Sequence, residues 1–498
     1  MKRRMPIFYS ALLLTCVNLL LRLVSTSFQV YLSGRIGAAG IGLMQLVSSV
    51  GAMSVTAGMA GIRTATMYLT AAELGRKNPG SIRWVLSGCL LYSLLVSAGV
   101  SFCLYFFAPW LAEHWIGDVQ TEGALRLYAS FVPVICLCGV MTGYFTAANR
   151  IGTLAAIEVL EQFVCMGVTV AMLSFWAGSD PINACNSVIA GSGISICLTT
   201  VLLGILRVRE KVPPGPRIPV AKKIIHTAVP LALADDLKAG ISTTENLMVP
   251  KRLALYPAAA DPLAAFGIVC GMVFPVLMFP AAILFGLNEL LIPELARCNA
   301  AGSQTRICYL VRRGLKVALI YGCIFGGLEF LIAAPLCQRL YSSAEAGHFL
   351  RLYAPLIPML YCDALTDAMT KGLGQQRICV RYNILTSAMD VLFLFLLLPR
   401  YGMIGYYVSF LITHLLNFCL SLRRLMKITG LRMPVKRPIA AAISTIFSVF
   451  AAVFVPLDLL KCALFLALVF SLLFLLGVLE REDIKWLRGI LLSAKRGR

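Results

Sequence analysis

Leu125-Arg126-Leu127-Tyr128-Ala129-Ser130-Phe131-Val132-Pro133 returns 225 residues later as Leu350-Arg351-Leu352-Tyr353-Ala354-Pro355-Leu356-Ile357-Pro358, identical at six of nine positions. Ala108-Pro109 and Ala334-Pro335 agree at an offset of 226, and Ala147-Ala148-Asn149-Arg150 falls opposite Gly372-Leu373-Gly374-Gln375. The chain therefore reads as a duplication. What is duplicated follows from the sequence around these segments.

Of 498 residues, 59% are hydrophobic and 13% charged, whereas soluble domains sit near 45–50% apolar and about 25% charged. Nine stretches of at least 18 residues lack Asp, Glu, Lys and Arg: 36–62, 84–112, 127–149, 162–179, 181–206, 263–288, 401–422, 438–457 and 462–479. Each is long enough to span a bilayer. Five further apolar segments, 8–31, 222–249, 314–338, 349–370 and 380–399, contain a few ionisable residues. The expectation is an all-α polytopic membrane protein with about 14 transmembrane helices. It consists of two parallel six-helix repeats and two appended helices, with the repeats entering the membrane in the same direction.

Domain boundaries follow from composition. A first lobe covers 1–206 and a second 224–430, and residues 431–498 hold the two extra helices and a basic tail. Between the lobes, 207–223 carries Val212-Pro213-Pro214-Gly215-Pro216, a stiffened hydrophilic linker.

A net charge of +21 would suggest nucleic acid in a soluble protein. Its placement excludes that partner. Of 44 Lys and Arg, 32 fall in the N-terminus and alternate loops after it and 8 on the other side, which predicts a plasma-membrane protein with both termini cytoplasmic. The basic start followed by an apolar run lacks a small-x-small cleavage site and reads as an uncleaved first helix. The 17 cysteines lie mainly within spans, as packing residues and not as a disulfide or zinc framework.

Polar residues inside a membrane are functional candidates, because a charge at the bilayer centre costs about 2.5–3.5 kcal/mol. Asn18, Arg22, Ser25 and Gln29 recur at i, i+4, i+7 and i+11 on the first helix, one face of an α-helix. Gln45, Ser48, Thr56 and Arg63 form a similar stripe on the second. The seventh carries Asp235, Asp236, Lys238, Ser242, Glu245 and Asn246, the tenth Asp363, Asp367 and Thr370, and the eleventh Asn383 and Asp390. A lone cation such as Arg22 suits an anionic ligand. Asp235 or Asp236 with Lys238 reads equally as a structural ion pair. The chain has no G-x-x-x-x-G-K-[ST] loop, no H-E-x-x-H and no metal-spaced Cys/His cluster. A transporter is expected, not an enzyme, with no cofactor and with Na+ or H+ as the coupling ion if cargo moves uphill.

Asn18-Leu19-Leu20-Leu21-Arg22, Ser33-Gly34-Arg35-Ile36-Gly37-Ala38-Ala39-Gly40-Ile41-Gly42-Leu43, Gly58-Met59-Ala60-Gly61-Ile62-Arg63 and Ala72-Glu73-Leu74-Gly75 resemble the multidrug/oligosaccharidyl-lipid/polysaccharide (MOP) exporter superfamily. Within it, the chain is most similar to the stage V sporulation protein B-like polysaccharide flippases, and the resemblance extends over nearly all of it. It implies alternating-access export of an undecaprenyl-diphosphate-type saccharide for cell-envelope, polysaccharide or spore-cortex synthesis. Arg22, helped by Arg63, would hold the diphosphate, with Asn18, Ser25, Gln29 and Gln45 lining the site. Lipid II flippases of the superfamily carry a second arginine where Phe28-Gln29 stands here.

A sodium site on helices 7, 11 and 12 of some members implies Asp235 or Asp236 with Asn383 and Asp390; Glu245, Asp363 and Asp367 are further ion-coupling candidates. The implied partners are the lipid-linked anionic saccharide, membrane lipids and cell-wall synthases; no oligomer is required. Two alternatives stand beside this reading. One is a cation-coupled multidrug antiporter of the same superfamily, whose cavity would favour carboxylates. The other is a non-transporting scaffold for cell-wall or spore-coat assembly.

Overall fold

The computed structural model describes residues 7–75, 79–177, 180–210, 220–431, 436–480 and 483. The basic start, the proline-rich centre of the expected linker and the basic tail lie outside them. In chain order the helices are α1 (Ile7–Met59), α2 (Ile62–Gly75), α3 (Ile82–Trp110), α4 (Glu122–Ala147), α5 (Ile151–Met172), α6 (Pro181–Val208), α7 (Val220–Leu253) and α8 (Pro262–Phe266). There follow α9 (Phe274–Leu277), α10 (Ala281–Ala300), α11 (Gln304–Tyr341), α12 (Ala344–Tyr353), α13 (Ile357–Gly372), α14 (Gln376–Thr429), α15 (Lys436–Val453) and α16 (Asp458–Leu475). No strand occurs among the described residues, and the fold is all-α.

Nine helical stretches among the described residues are long and apolar enough to cross a membrane. Two contain a pair of expected spans each, divided at a glycine. Gly37 in α1 has φ 69°, ψ −178°, and Gly402 in α14 has φ 56°, ψ −140°. An L side chain avoids both conformations. A further span is broken: Pro262–Leu277 and Ala281–Ala300 meet at 65°, and a π-helix, Gly267–Val273, joins α8 to α9. Pro275 and Pro280 each remove a backbone donor there. The α7 segment and α12–α13 are not among these nine stretches.

Helix starts follow the local chemistry. Asp180 precedes Pro181 and Asp261 precedes Pro262; each carboxylate accepts from a first-turn amide, Ile182 N–H at 3.4 Å and Ala264 N–H at 2.9 Å. Aspartate at the N-cap with proline next satisfies an orphan donor and presets φ.

The duplicated segments keep their packing. Leu125 and Leu350, and Ala129 and Ala354, are all fully buried. Arg126 sits over the Tyr105 ring at 5.1 Å and Arg351 over Phe330 at 5.6 Å; the two rings are themselves 225 residues apart. The same cation–π contact therefore recurs in each copy. Where Ser130 lets α4 run on, Pro355 splits the second copy into α12, a 3-10 turn and α13.

Two compact units emerge from the packing: Met1–Met272 with Asn383–Phe410, and Val273–Tyr382 with Leu411–Arg498. In the first, Ile62, Val85, Cys89, Phe145, Leu203 and Ile224 pack a core drawn from α2, α3, α4, α6 and α7. In the second, Leu295, Val311, Leu365, Met369 and Leu425 form one core. A neighbouring core receives the appended helices: Phe465 of α16 occupies a notch at Gly327 of α11, where a Cβ would meet its ring at 2.3 Å.

Charges fasten the first third of α11. Asp483 pairs with Arg313, with Lys316 Nζ at 2.6 Å and with the Glu480 N–H at 2.8 Å. Burial works to raise the Asp483 carboxyl, but the Lys316 and Glu480 hydrogen bonds and the charges of Lys316 and Arg313 prevail and hold it below its ordinary 3.8. A depressed carboxyl contributes stability above its unfolded pKa and loses it as pH falls through the folded one. The thermal midpoint of the wild type should therefore drop as pH is lowered from 4, with Asp483→Asn lacking that component. Equal slopes for both proteins would refute the assignment.

Candidate functional site

One face of α7 organises the polar residues of the first unit. Asp235, Lys238, Ser242 and Glu245 stand at i, i+3, i+7 and i+10, a single stripe about 15 Å long. Asp235, Lys238 and Ser242 line a cavity of about 480 Å³, whose other wall is Val55, Thr56, Met59, Gly61, Arg63 and Thr64 of the α1–α2 junction. Two cations, Arg63 and Lys238, thus share one space with one carboxylate.

At the next turn Glu245 leaves that cavity's lining and is hydrogen-bonded to Asp390 of α14. Asp390 is 5% exposed, and its Oδ1 accepts from Ser409 Oγ at 2.5 Å. Cys270 of the π-helix lies 3.7 Å from Tyr406 Oη and completes the surroundings. Two carboxyls thus meet beside a hydroxyl and a phenol at this point of the first unit. Asn383 lies two turns before Asp390 on the same face, and its carbonyl accepts from Thr386 Oγ1 at 3.2 Å. Oxygen-rich surroundings of this kind suit a hard cation.

The stripes on α1 divide. Gln29 donates to the Gly271 carbonyl at 3.1 Å, supplying a partner to backbone in the π-helix, where the regular helical pattern is interrupted. Arg22 is half-buried and makes no hydrogen bond or ion pair among the described residues, and Ser25 is exposed. The Asn18 side chain lies outside the described ones. Gln45 is half-buried; its carbonyl accepts from Ser49 Oγ at 2.8 Å. Ser49 joins this half of α1 to α7: its Oγ accepts from Asn246 at 3.0 Å and its carbonyl from Thr243 at 3.1 Å.

Of the α7 acids, Asp235 joins Arg63, Asp236 is half-buried with an unpartnered Oδ1, and Glu245 joins Asp390. Asp363 and Asp367 belong to the second unit. Both oxygens of Asp363 accept from Asn417 Nδ2, at 3.2 and 3.1 Å. Asp367 accepts from Ser421 at 3.4 Å and pairs with Lys371 at 3.2 Å. Sequence reading passed over Ser49, Ser409, Tyr406 and Asn417. Ser409 and Tyr406 could have been found from their i, i+3 spacing with each other; the rest carry no local signal.

The described cysteines are all free thiols, and no metal-ligand cluster of three or more His, Cys, Asp or Glu occurs among the described residues. The MatE family model matches residues 14–170, a span that includes Arg22, Gln29, Gln45 and Arg63. The chain is 22% identical over 410 residues to stage V sporulation protein B of Bacillus subtilis (strain 168), covering 79% of this chain and 78% of the relative. Its fold matches the lipid II flippase MurJ in an inward closed conformation with a TM-score of 0.69 at 11% identity, over 93% of this chain and 98% of that one. An inward-facing multidrug resistance MATE family transporter matches with a TM-score of 0.62 at 13% identity, over 84% and 100%.

Proposed function

We propose that this membrane transporter exports an undecaprenyl-diphosphate-type saccharide by alternating access, for cell-envelope or spore-cortex synthesis. The cavity shared by Arg63, Lys238 and Asp235 carries the reading, because its surplus of positive charge suits a diphosphate. A sugar-diphosphate head cannot enter hydrocarbon cheaply, so the protein encloses the head and leaves the prenyl tail in lipid. The sporulation relative and the flippase fold support the same cargo class. Arg22 is assigned to the head as well, and the proposal retains cytoplasmic termini and lobes at 1–206 and 224–430.

The Glu245–Asp390 pair supports coupling to Na+ or H+, and it also favours a second reading, a cation-coupled drug antiporter. Depletion of the protein should accumulate a polyprenyl-linked saccharide identifiable by mass spectrometry. Arg63→Gln should expel that lipid about 10-fold or more slowly, the equivalent of one charge-assisted hydrogen bond, at unchanged expression. No lipid accumulation, with drug efflux restored on re-expression, would establish the antiporter. Full rescue by both Arg22→Ala and Arg63→Gln would favour a scaffold.

A further inference from the structure

A second charged cavity, remote in sequence from the first, is built by the appended helices. It measures about 680 Å³ and lies among the first third of α11, the end of α14, the start of α15 and the end of α16. Its charged rim holds Arg312, Lys316, Lys436 and Arg437. Glu480 pairs with Arg437 at 2.7 Å and with Lys316 at 3.4 Å, and Asp483 takes Lys316 and Arg313. Arg312 and Lys436 have no acidic partner among the described residues. Lys436 and Arg437 also open α15, where the positive end of the helix dipole disfavours cations. An anion seated there would relieve both.

The floor is apolar: Leu315, Leu319, Met426 and Leu476. Just beyond the rim, α15 continues into the exposed series Ile439, Ile443, Ile446 and Phe450, a face suited to hydrocarbon. Cations at the end of a lipid-facing helix lie at headgroup level, and basic pockets between such helices take phosphate-bearing lipids. A soluble anion would use the rim alone and leave the floor without a ligand.

We propose that this cavity binds an anionic phospholipid, with its phosphate between Arg312 and Lys436 and an acyl chain along the Leu315–Met426 floor. The two appended helices thereby gain a role that the twelve repeated spans do not supply. Delipidated full-length protein is titrated with phosphatidylglycerol, phosphatidylcholine or inorganic phosphate, reading bound lipid by native mass spectrometry and stability by thermal unfolding. Phosphatidylglycerol should raise the wild-type midpoint by about 3 °C or more at saturation, with phosphatidylcholine and phosphate inert. Arg312→Gln and Lys436→Gln should each weaken phosphatidylglycerol binding about five-fold. Both residues are exposed, so the unliganded midpoints should match the wild type. Equal binding of phosphatidylcholine, a matching shift with inorganic phosphate, or unchanged affinity in the double variant would overturn the proposal.

Discussion

Glu245→Gln is expected to fold normally, to reach the membrane and to lose ion binding altogether. The glutamine amide can still donate to Asp390, as a protonated Glu245 would, so the local hydrogen bonding survives. What disappears is a titratable carboxyl that can exchange a proton for a cation. Purified wild type should bind Na+ in an isotope assay, or release a proton in weak buffer, whereas Glu245→Gln should do neither. Asp390→Ala should be harsher. It removes the carboxyl that meets Glu245 and one of the two Asp390 acceptors of Ser409 Oγ, leaving only the backbone carbonyl at 3.4 Å, at about 1–3 kcal/mol for a buried group that loses its partner, and transport should fall with yield. Wild-type ion binding in Glu245→Gln would remove the pair from the coupling mechanism.

The placement of this pair shows how far the sequence could be followed. The sequence marks Asp235, Lys238, Ser242 and Glu245 as polar positions of one expected span, and α7 carries all four at i, i+3, i+7 and i+10. Which neighbour each meets depends on the register of α7 against α2 and α14, which no local pattern encodes. The structure brings Asp390 together with Glu245, three turns beyond Asp235. The charge-free runs placed the spans well because the bilayer imposes a length on apolar segments. Breaks within them were harder to see.

A signal for two of those breaks was nevertheless present. Arg35-Ile36-Gly37-Ala38-Ala39-Gly40 and Arg400-Tyr401-Gly402-Met403-Ile404-Gly405 share R-x-G-x-x-G, and each central glycine is the positive-φ turn between two spans. The third break, in 263–288, arises from Pro275, Pro280 and a π-helix whose Gly271 carbonyl is held by Gln29. Gln29 fits its polar stripe by spacing, yet its observed contact is with backbone. Periodicity finds a face, but it cannot distinguish a ligand from a carbonyl.

That same π-helix depends on a close crossing, which leads to the largest stability effect expected. Ala38 and Gly42 are four apart on α1, and Leu263 and Gly267 are four apart at α8. A Cβ on Gly267 would lie 2.0 Å from the Ala38 carbonyl oxygen and 2.7 Å from Gly42 N; one on Gly42 would lie 2.3 Å from the Leu263 oxygen. Small residues spaced in this way let helix backbones approach inside a membrane. A side chain in the way can rotate, but backbone on both sides cannot. Gly267→Ala should therefore cost about 3 kcal/mol, the upper range for overpacking. Gly204→Ala, in α6 with nothing within 4 Å, should be neutral or gain about 0.5–1 kcal/mol of helix preference. Thermal unfolding of the two variants in one detergent decides the matter: matching midpoints would mean that α1 and α8 do not cross so tightly. Because Cys270 and Gly271 follow directly from Gly267, pushing α8 away would also loosen the Cys270–Tyr406 contact beside Glu245 and the Gln29 bond. Ion binding in Gly267→Ala should then weaken even in the fraction that remains folded.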